Sequence, residues 1–278
     1  MKELLKDYYG LNIEYSKEYR DGLIFFVNGD YYYLCKCYLD EESVNKSYEL
    51  YLLLKDKNIV FHDFIFNNDK RILTNGYVLL KLNNLIGNID LYDIKKTNIA
   101  IDFDIRDDFY SLWINKIDYY EKQLYMDTSN PFISYSFDYF VGISEILLDF
   151  YKNNKGYDTN YIVHREFYSL NSIDYYNPLN IVIGDRLKDY STFIRLTNDW
   201  DLLYDLLNNI GYEEKVSLFV RLAFPYKYFY YISKLIEDDL YREELVSIVD
   251  EITRYEVYLS RLEDVMGIRL FYWIKKDN

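Results

Sequence analysis

Alanine is almost missing from this chain: Ala100 and Ala223 are the only two in 278 residues. Proline occurs three times and glycine ten times, and no Ser/Gly linker is present. The two cysteines, Cys35 and Cys37, sit two apart in a strand-like run, side by side on one face, where a strain-free bridge is not expected. With only two histidines beside them, a disulfide scaffold is excluded and a cysteine-based metal site is not expected. Basic clusters are lacking as well: no run, Lys275-Lys276 included, exceeds two residues, against a formal charge of −14 and a pI near 4.7. Nucleic acid and broad anionic membrane surfaces, which demand basic patches, are not expected partners. No uncharged apolar run reaches 18 residues and the segment Met1–Gly10 is charged. The expectation is therefore no membrane span, no signal peptide and a cytoplasmic location.

What is abundant is aromatic. The chain has 35 tyrosines and 17 phenylalanines, and the scarcity of residues with G+C-rich codons points to an A+T-rich genome rather than to aromatic chemistry. A hydrophobic share of 50% furnishes a sizeable core, enough for one large domain or two lobes. No internal repeat or low-complexity tract is present.

The periodicity changes along the chain. Leu23–Val27 and Tyr31–Leu39, joined by Asn28-Gly29-Asp30, read as a β-hairpin. Asp40 to Asp56 reads as a helix with Asp40 as N-cap, Glu41 and Glu42 in its first turn, and Val44, Tyr48, Tyr51 and Leu52 on one face. Strands are expected over Val60–Phe66 and Gly76–Leu82, which makes a small β-β-α-β-β lobe over residues 1–83. From 84 to 278 helices dominate: one through Phe109–Leu124, one through Phe137–Tyr151, one opened by Pro225, and one through Leu245–Leu262. Two short β-branched runs, Tyr161–Val163 and Ile181–Ile183, form a small β insert.

Chemistry-bearing residues fall at telling places in this layout. Lys36 lies in the second hairpin strand, opposite the two cysteines by alternation, and Glu42 and Glu49 follow in the helix. His164-Arg165-Glu166 precedes Asn171 by four intervening residues, and Asn180-Ile-Val-Ile-Gly-Asp185 follows. Together these resemble the landmarks of the protein kinase-like superfamily. Asp189-Tyr-Ser-Thr-Phe-Ile-Arg195 resembles a helix start of its aminoglycoside phosphotransferase and choline kinase-like branch. Trp113–Ile117 and Leu222–Phe229 are similar to segments of the spore-coat kinase-like group within it.

The resemblance implies a two-lobed α+β kinase-like fold. For an active member it implies ATP and Mg²⁺, Lys36 on phosphates, Glu49 (in preference to Glu42) orienting Lys36, Glu166 as base, and Asn171 and Asp185 on the metal. An alternative register makes Asp185 a turn residue and puts Asn180 at the metal position. Glu166 stands where the family has Asp, one methylene longer, and a misplacement on the order of 1 Å costs about a hundredfold in rate. A glycine-rich loop is not visible, Gly22 standing alone.

The leading expectation is thus a pseudokinase acting by binding, with a spore-coat or envelope role implied by the resemblance. An active small-molecule phosphotransferase and an acidic helical interaction protein are the alternatives; the partner, protein or small molecule, is not legible. Architectural roles are expected for His164, Arg165 and Asp189, an exposed or satisfied side chain for His62, and a core face for part of Tyr226–Tyr231.

Overall fold

The computed structural model describes residues 1–83, 87–125, 131–154, 160–165, 167, 169–237 and 242–274. The chain divides into two compact units, one of residues 1–107 and 159–189, the other of 108–158 and 190–278. The β insert therefore belongs, by compactness, to the unit that holds the N-terminal sheet.

The first unit opens with helix α1 (Lys2–Tyr9), which ends on Gly10 in the left-handed conformation. Strands β1 (Ser16–Tyr19), β2 (Gly22–Val27) and β3 (Asp30–Lys36) follow, then helix α2 (Glu41–Asp56) and strands β4 (Asp63–Ile65), β5 (Leu73–Thr74) and β6 (Tyr77–Leu82). The sheet is antiparallel, ordered β1-β2-β3-β6-β4, with β5 on β6. Asn28 and Gly29, both at positive φ, form the two-residue β2–β3 turn, the conformation Asn-Gly adopts at least steric cost. Asp40 caps α2 by accepting the Ser43 N–H at 2.8 Å, as expected. The outer face of the sheet is closed by α1, where Leu5 packs with Leu23, Phe25, Leu34 and Leu79; full burial of each such side chain contributes about 1.5–3 kcal/mol.

The predicted β-β-α-β-β order is present, with α1, β1 and β5 in addition. The strand expected over Val60–Phe66 is shorter, because Val60, Phe61 and His62 lie outside the ladder and the His62 N–H is given to the Tyr176 carbonyl instead.

Helix α3 (Leu91–Thr97) starts with a reciprocal cap between Asp90 and Asp93. The later part of this unit is the antiparallel pair β7 (Tyr161–His164) and β8 (Ile181–Gly184). Between these strands lie the short helix α6 (Ser172–Tyr175) and a 3-10 turn, Pro178–Asn180.

The second unit is helical: α4 (Phe109–Tyr125), α5 (Pro131–Asn154), most of α7 (Leu187–Thr197), then α8 (Trp200–Leu207), α9 (Tyr212–Ala223), α10 (Tyr226–Glu237), α11 (Arg242–Asp250) and α12 (Ile252–Met266). Its core is aromatic, with Phe224 in ring contact with Phe109, Trp113 and Phe229, and Trp113 with Phe229. Tyr228 is buried against Phe140, so the Tyr226–Tyr231 run does supply core residues. The single helix expected through Leu245–Leu262 is two: a tight turn at Glu251, whose N–H reaches the Ile248 carbonyl, separates α11 from α12. One extra turn residue leaves the apolar spacing almost unbroken, so periodicity alone does not reveal the break.

Candidate functional site

The candidate site residues fall in the first unit, in and around β3, α2 and the stretch from β7 to the start of α7, whereas Trp113–Ile117 and Leu222–Phe229 belong to the second. Glu166 lies outside the described residues.

Side chains alternate along β3. Leu34 belongs to the outer cluster under α1, and Lys36 shares its parity. The Lys36 side chain is exposed, with its ammonium 4.9 Å from the ring centre of Tyr38; hydrogen bonding to the Tyr38 side chain raises the affinity of the amine for its proton. The opposite parity faces inward. Tyr33 meets Tyr19 edge-on and feels the charges of Asp174 and Arg20, Cys35 is buried, and the Arg165 guanidinium acts on the Cys37 thiol. Burial pushes the Cys35 thiol up to about 12 and keeps the Cys37 thiol above its ordinary value. Both remain free cysteines.

Glu49 is on the exposed side of α2, while Val44, Ser47, Leu50, Tyr51 and Leu54 are buried. The structure does not bring Glu49 to Lys36; the glutamate–lysine pair on this helix is Glu42 with Lys46, at 3.2 Å on the surface.

The two candidate metal ligands each hold a helix start. The Asn171 side chain accepts the Ile173 N–H at 2.8 Å and caps α6, and the Asp185 carboxylate accepts the Leu187 N–H at 2.9 Å at the start of α7. Asn180 ends the 3-10 turn, with its carbonyl accepting the Arg165 N–H. Among the described residues no group of three or more His, Cys, Asp or Glu side chains could hold a metal ion.

Beneath these segments is a buried polar core. Asp189 accepts the His164 N–H at 3.0 Å on one oxygen, and its other oxygen lies 2.7 Å from His164 Nδ1. His164 Nε2 is 2.7 Å from the Tyr175 carbonyl, which can only accept. Nε2 therefore carries a proton, and the Nδ1–Asp189 contact shares another. Asp189 thus fixes the turn after β7 from beneath, together with the ring of Tyr175 stacked on His164 at 4.0 Å.

Alongside, the Lys188 ammonium is 2.7 Å from Asp107, both nearly buried. Gly184 permits this approach, since a Cβ there would stand 2.9 Å from Val163 and 3.1 Å from Asp107. His62, expected to be exposed or satisfied, is fully buried; the backbone of Ser172 and Ile173 lies near its ring, but neither ring nitrogen makes a well-formed hydrogen bond among the described residues. Burial drives its pKa down to about 4, so the ring is held neutral.

A cluster not foreseen from the sequence joins the β1–β2 turn to α6. Asp174 Oδ2 accepts from Tyr19 Oη at 2.9 Å, Arg20 Nη2 at 2.5 Å and Ser169 Oγ at 3.3 Å. The Tyr19 phenol is accordingly held up at about 12, by burial first and by the Asp174 charge second. The sequence signal available was Asp21-Gly22, a hairpin turn after the Ser16–Tyr19 run; nothing in it pointed to Asp174, 154 positions away.

No protein-family model matches the chain, and no curated protein matches it in sequence. Solved structures do. An aminoglycoside phosphotransferase from Alicyclobacillus acidocaldarius aligns with 92% of this chain and 93% of its own, with a TM-score of 0.57 and 12% identity. The gentamicin complex of APH(2")-IIa aligns over 96% and 97% with a TM-score of 0.56 and 15% identity. AMP-bound spectinomycin phosphotransferase, APH(9)-Ia, aligns over 99% and 98% with a TM-score of 0.51 and 15% identity. At such identities the likeness is one of fold: the chain has the protein kinase-like α+β fold of these phosphotransferases, as the landmark residues implied. No helix among the described residues is long and apolar enough to cross a membrane.

Proposed function

We propose that this protein is a pseudokinase, a kinase-like fold that acts by binding and not by phosphoryl transfer. The observation that carries the reading is the direction of Lys36, which shares the strand parity of Leu34 and is exposed, while Tyr33 and Cys37, of the opposite parity, feel Asp174 and Arg165. A phosphate-gripping lysine has to point at the segment that holds the metal and the base. Asn171 and Asp185 support the same view, each being engaged at a helix start.

In this reading residues 1–83 and 84–278 are the two lobes, the chain resides in the cytoplasm or with the spore coat or envelope, and its ligand is a protein or a small molecule. A net charge of −14 favours a partner surface with basic character. Thermal-shift titration with ATP, GTP and Mg²⁺ tests the proposal, because binding to the native state raises its melting temperature by mass action; a flat response is expected.

The second reading, an active small-molecule phosphotransferase with Glu166 as base, draws support from the fold shared with phosphotransferase structures over most of the chain. It requires transfer from ATP that is lost in Lys36→Ala, Glu166→Ala and Asp185→Ala.

A further inference from the structure

Asp174 carries a nearly buried carboxylate, its side chain 9% exposed, on a helix of only four residues. A buried carboxylate is tolerated only when paired and hydrogen-bonded. Two of the three donors described on its Oδ2 are Tyr19 at the end of β1 and Arg20 in the β1–β2 turn, 155 and 154 positions away, and the third is Ser169.

The turn itself is made for this contact. Its two residues are Arg20 and Asp21, and Arg20 has a φ of 49°, a left-handed conformation that Gly or Asn would adopt at less cost. Arg supplies there what neither of those can, a guanidinium on Asp174. Gly22, next in the chain, lets the turn lie close: a Cβ there would stand 2.1 Å from the Leu34 carbonyl oxygen. Asp21 adds a second tie by accepting the Tyr38 hydroxyl at 3.0 Å. Strand β1 is the sheet edge, paired with β2 alone, and none of its four residues is buried. With so little packing of its own, β1 depends on these ties for its position.

We propose that the β1–β2 turn is a latch, closed by Tyr19 and Arg20 on Asp174, which covers the segment from Ser169 to Asp174. Because the Arg20 side chain is 43% exposed, solvent reaches the latch and its closure is reversible. A ligand bound at Ser169–Asp174 has to displace Arg20 first. The inference concerns the turn alone and does not depend on whether the protein binds nucleotide.

Hydrogen-exchange mass spectrometry on the wild type, Arg20→Gln, Asp174→Asn and the double variant tests it. The latch predicts that exchange of the peptide spanning residues 14–24 rises about tenfold in each single variant. It also predicts no further rise in the double variant, since both changes remove one interaction, and no change in peptides of β3 and β6. Unchanged exchange of 14–24 in Arg20→Gln overturns the proposal, as does an equal rise throughout the sheet. Should Asp174→Asn fail to fold, Arg20→Gln decides alone, because its side chain is half exposed and outside the core. Nucleotide titration reads a different quantity, so the latch and the pseudokinase reading fail separately.

Discussion

The ammonium of Lys36 lies 4.9 Å from the ring centre of Tyr38, and the Lys36 side chain is exposed. An exposed cation–π contact of this kind adds little to stability. Lys36→Ala is therefore expected to leave the melting temperature unchanged within error, measured by differential scanning calorimetry. A clear loss would mean that Lys36 has a buried partner.

His164 and Asp189 form the opposite case. Asp189 is fully buried and meets both the backbone N–H and the ring of His164. Asp189→Ala leaves two buried donors without an acceptor and should destabilise by about 3–5 kcal/mol. Asp189→Asn keeps one acceptor and should cost less than half as much. Urea denaturation of the two variants distinguishes this role from a surface one, which would make them equal.

The buried His62 ring gives a pH signature. Its native pKa is about 4 against an ordinary value of 6.5. Between these values the unfolded chain binds a proton that the native state refuses, so stability falls as pH drops from about 6.5 toward 4 and the contribution levels off below. The loss is roughly 3 kcal/mol across that window. His62→Phe removes the titration, and its stability curve should diverge from the wild type only below about pH 6.5. Parallel curves down to pH 4 would show that the ring is protonated, or solvated, in the native protein.

Gly22 is the tightest glycine in the sheet. A methyl group there meets the Leu34 carbonyl oxygen at 2.1 Å and the Tyr33 ring at 3.0 Å. Since the first of these is backbone, relief requires β2 and β3 to separate. Gly22→Ala should cost on the order of 2 kcal/mol or more, read from chemical denaturation.

Local signals carried most of the fold. The Asn28-Gly29 turn, the Asp40 cap and the β-branched runs at Tyr161 and Ile181 each encode their structure within a few residues, and each is present. Helix α1 and strand β1 were not legible: both are short, and β1 has no buried residue to set an alternating pattern. In the candidate site, the residues before and after β8 were found because landmark spacing is a property of the sequence. What those residues touch is not. Alternation placed Lys36 opposite the cysteines, but which of the two faces looks inward depends on α1 covering Leu34. The Arg20–Asp174 pair joins segments 154 positions apart, and no local pattern records such a meeting.

Nucleotide binding separates a pseudokinase from an active phosphotransferase. Isothermal titration calorimetry of the wild-type protein with ATP and Mg²⁺ is the direct measurement. With Lys36 turned outward and Asn171 and Asp185 serving as caps, no saturable binding is expected up to millimolar ATP. Saturable Mg²⁺-dependent binding at micromolar ATP, lost in Lys36→Ala and in Asp185→Ala, would contradict it.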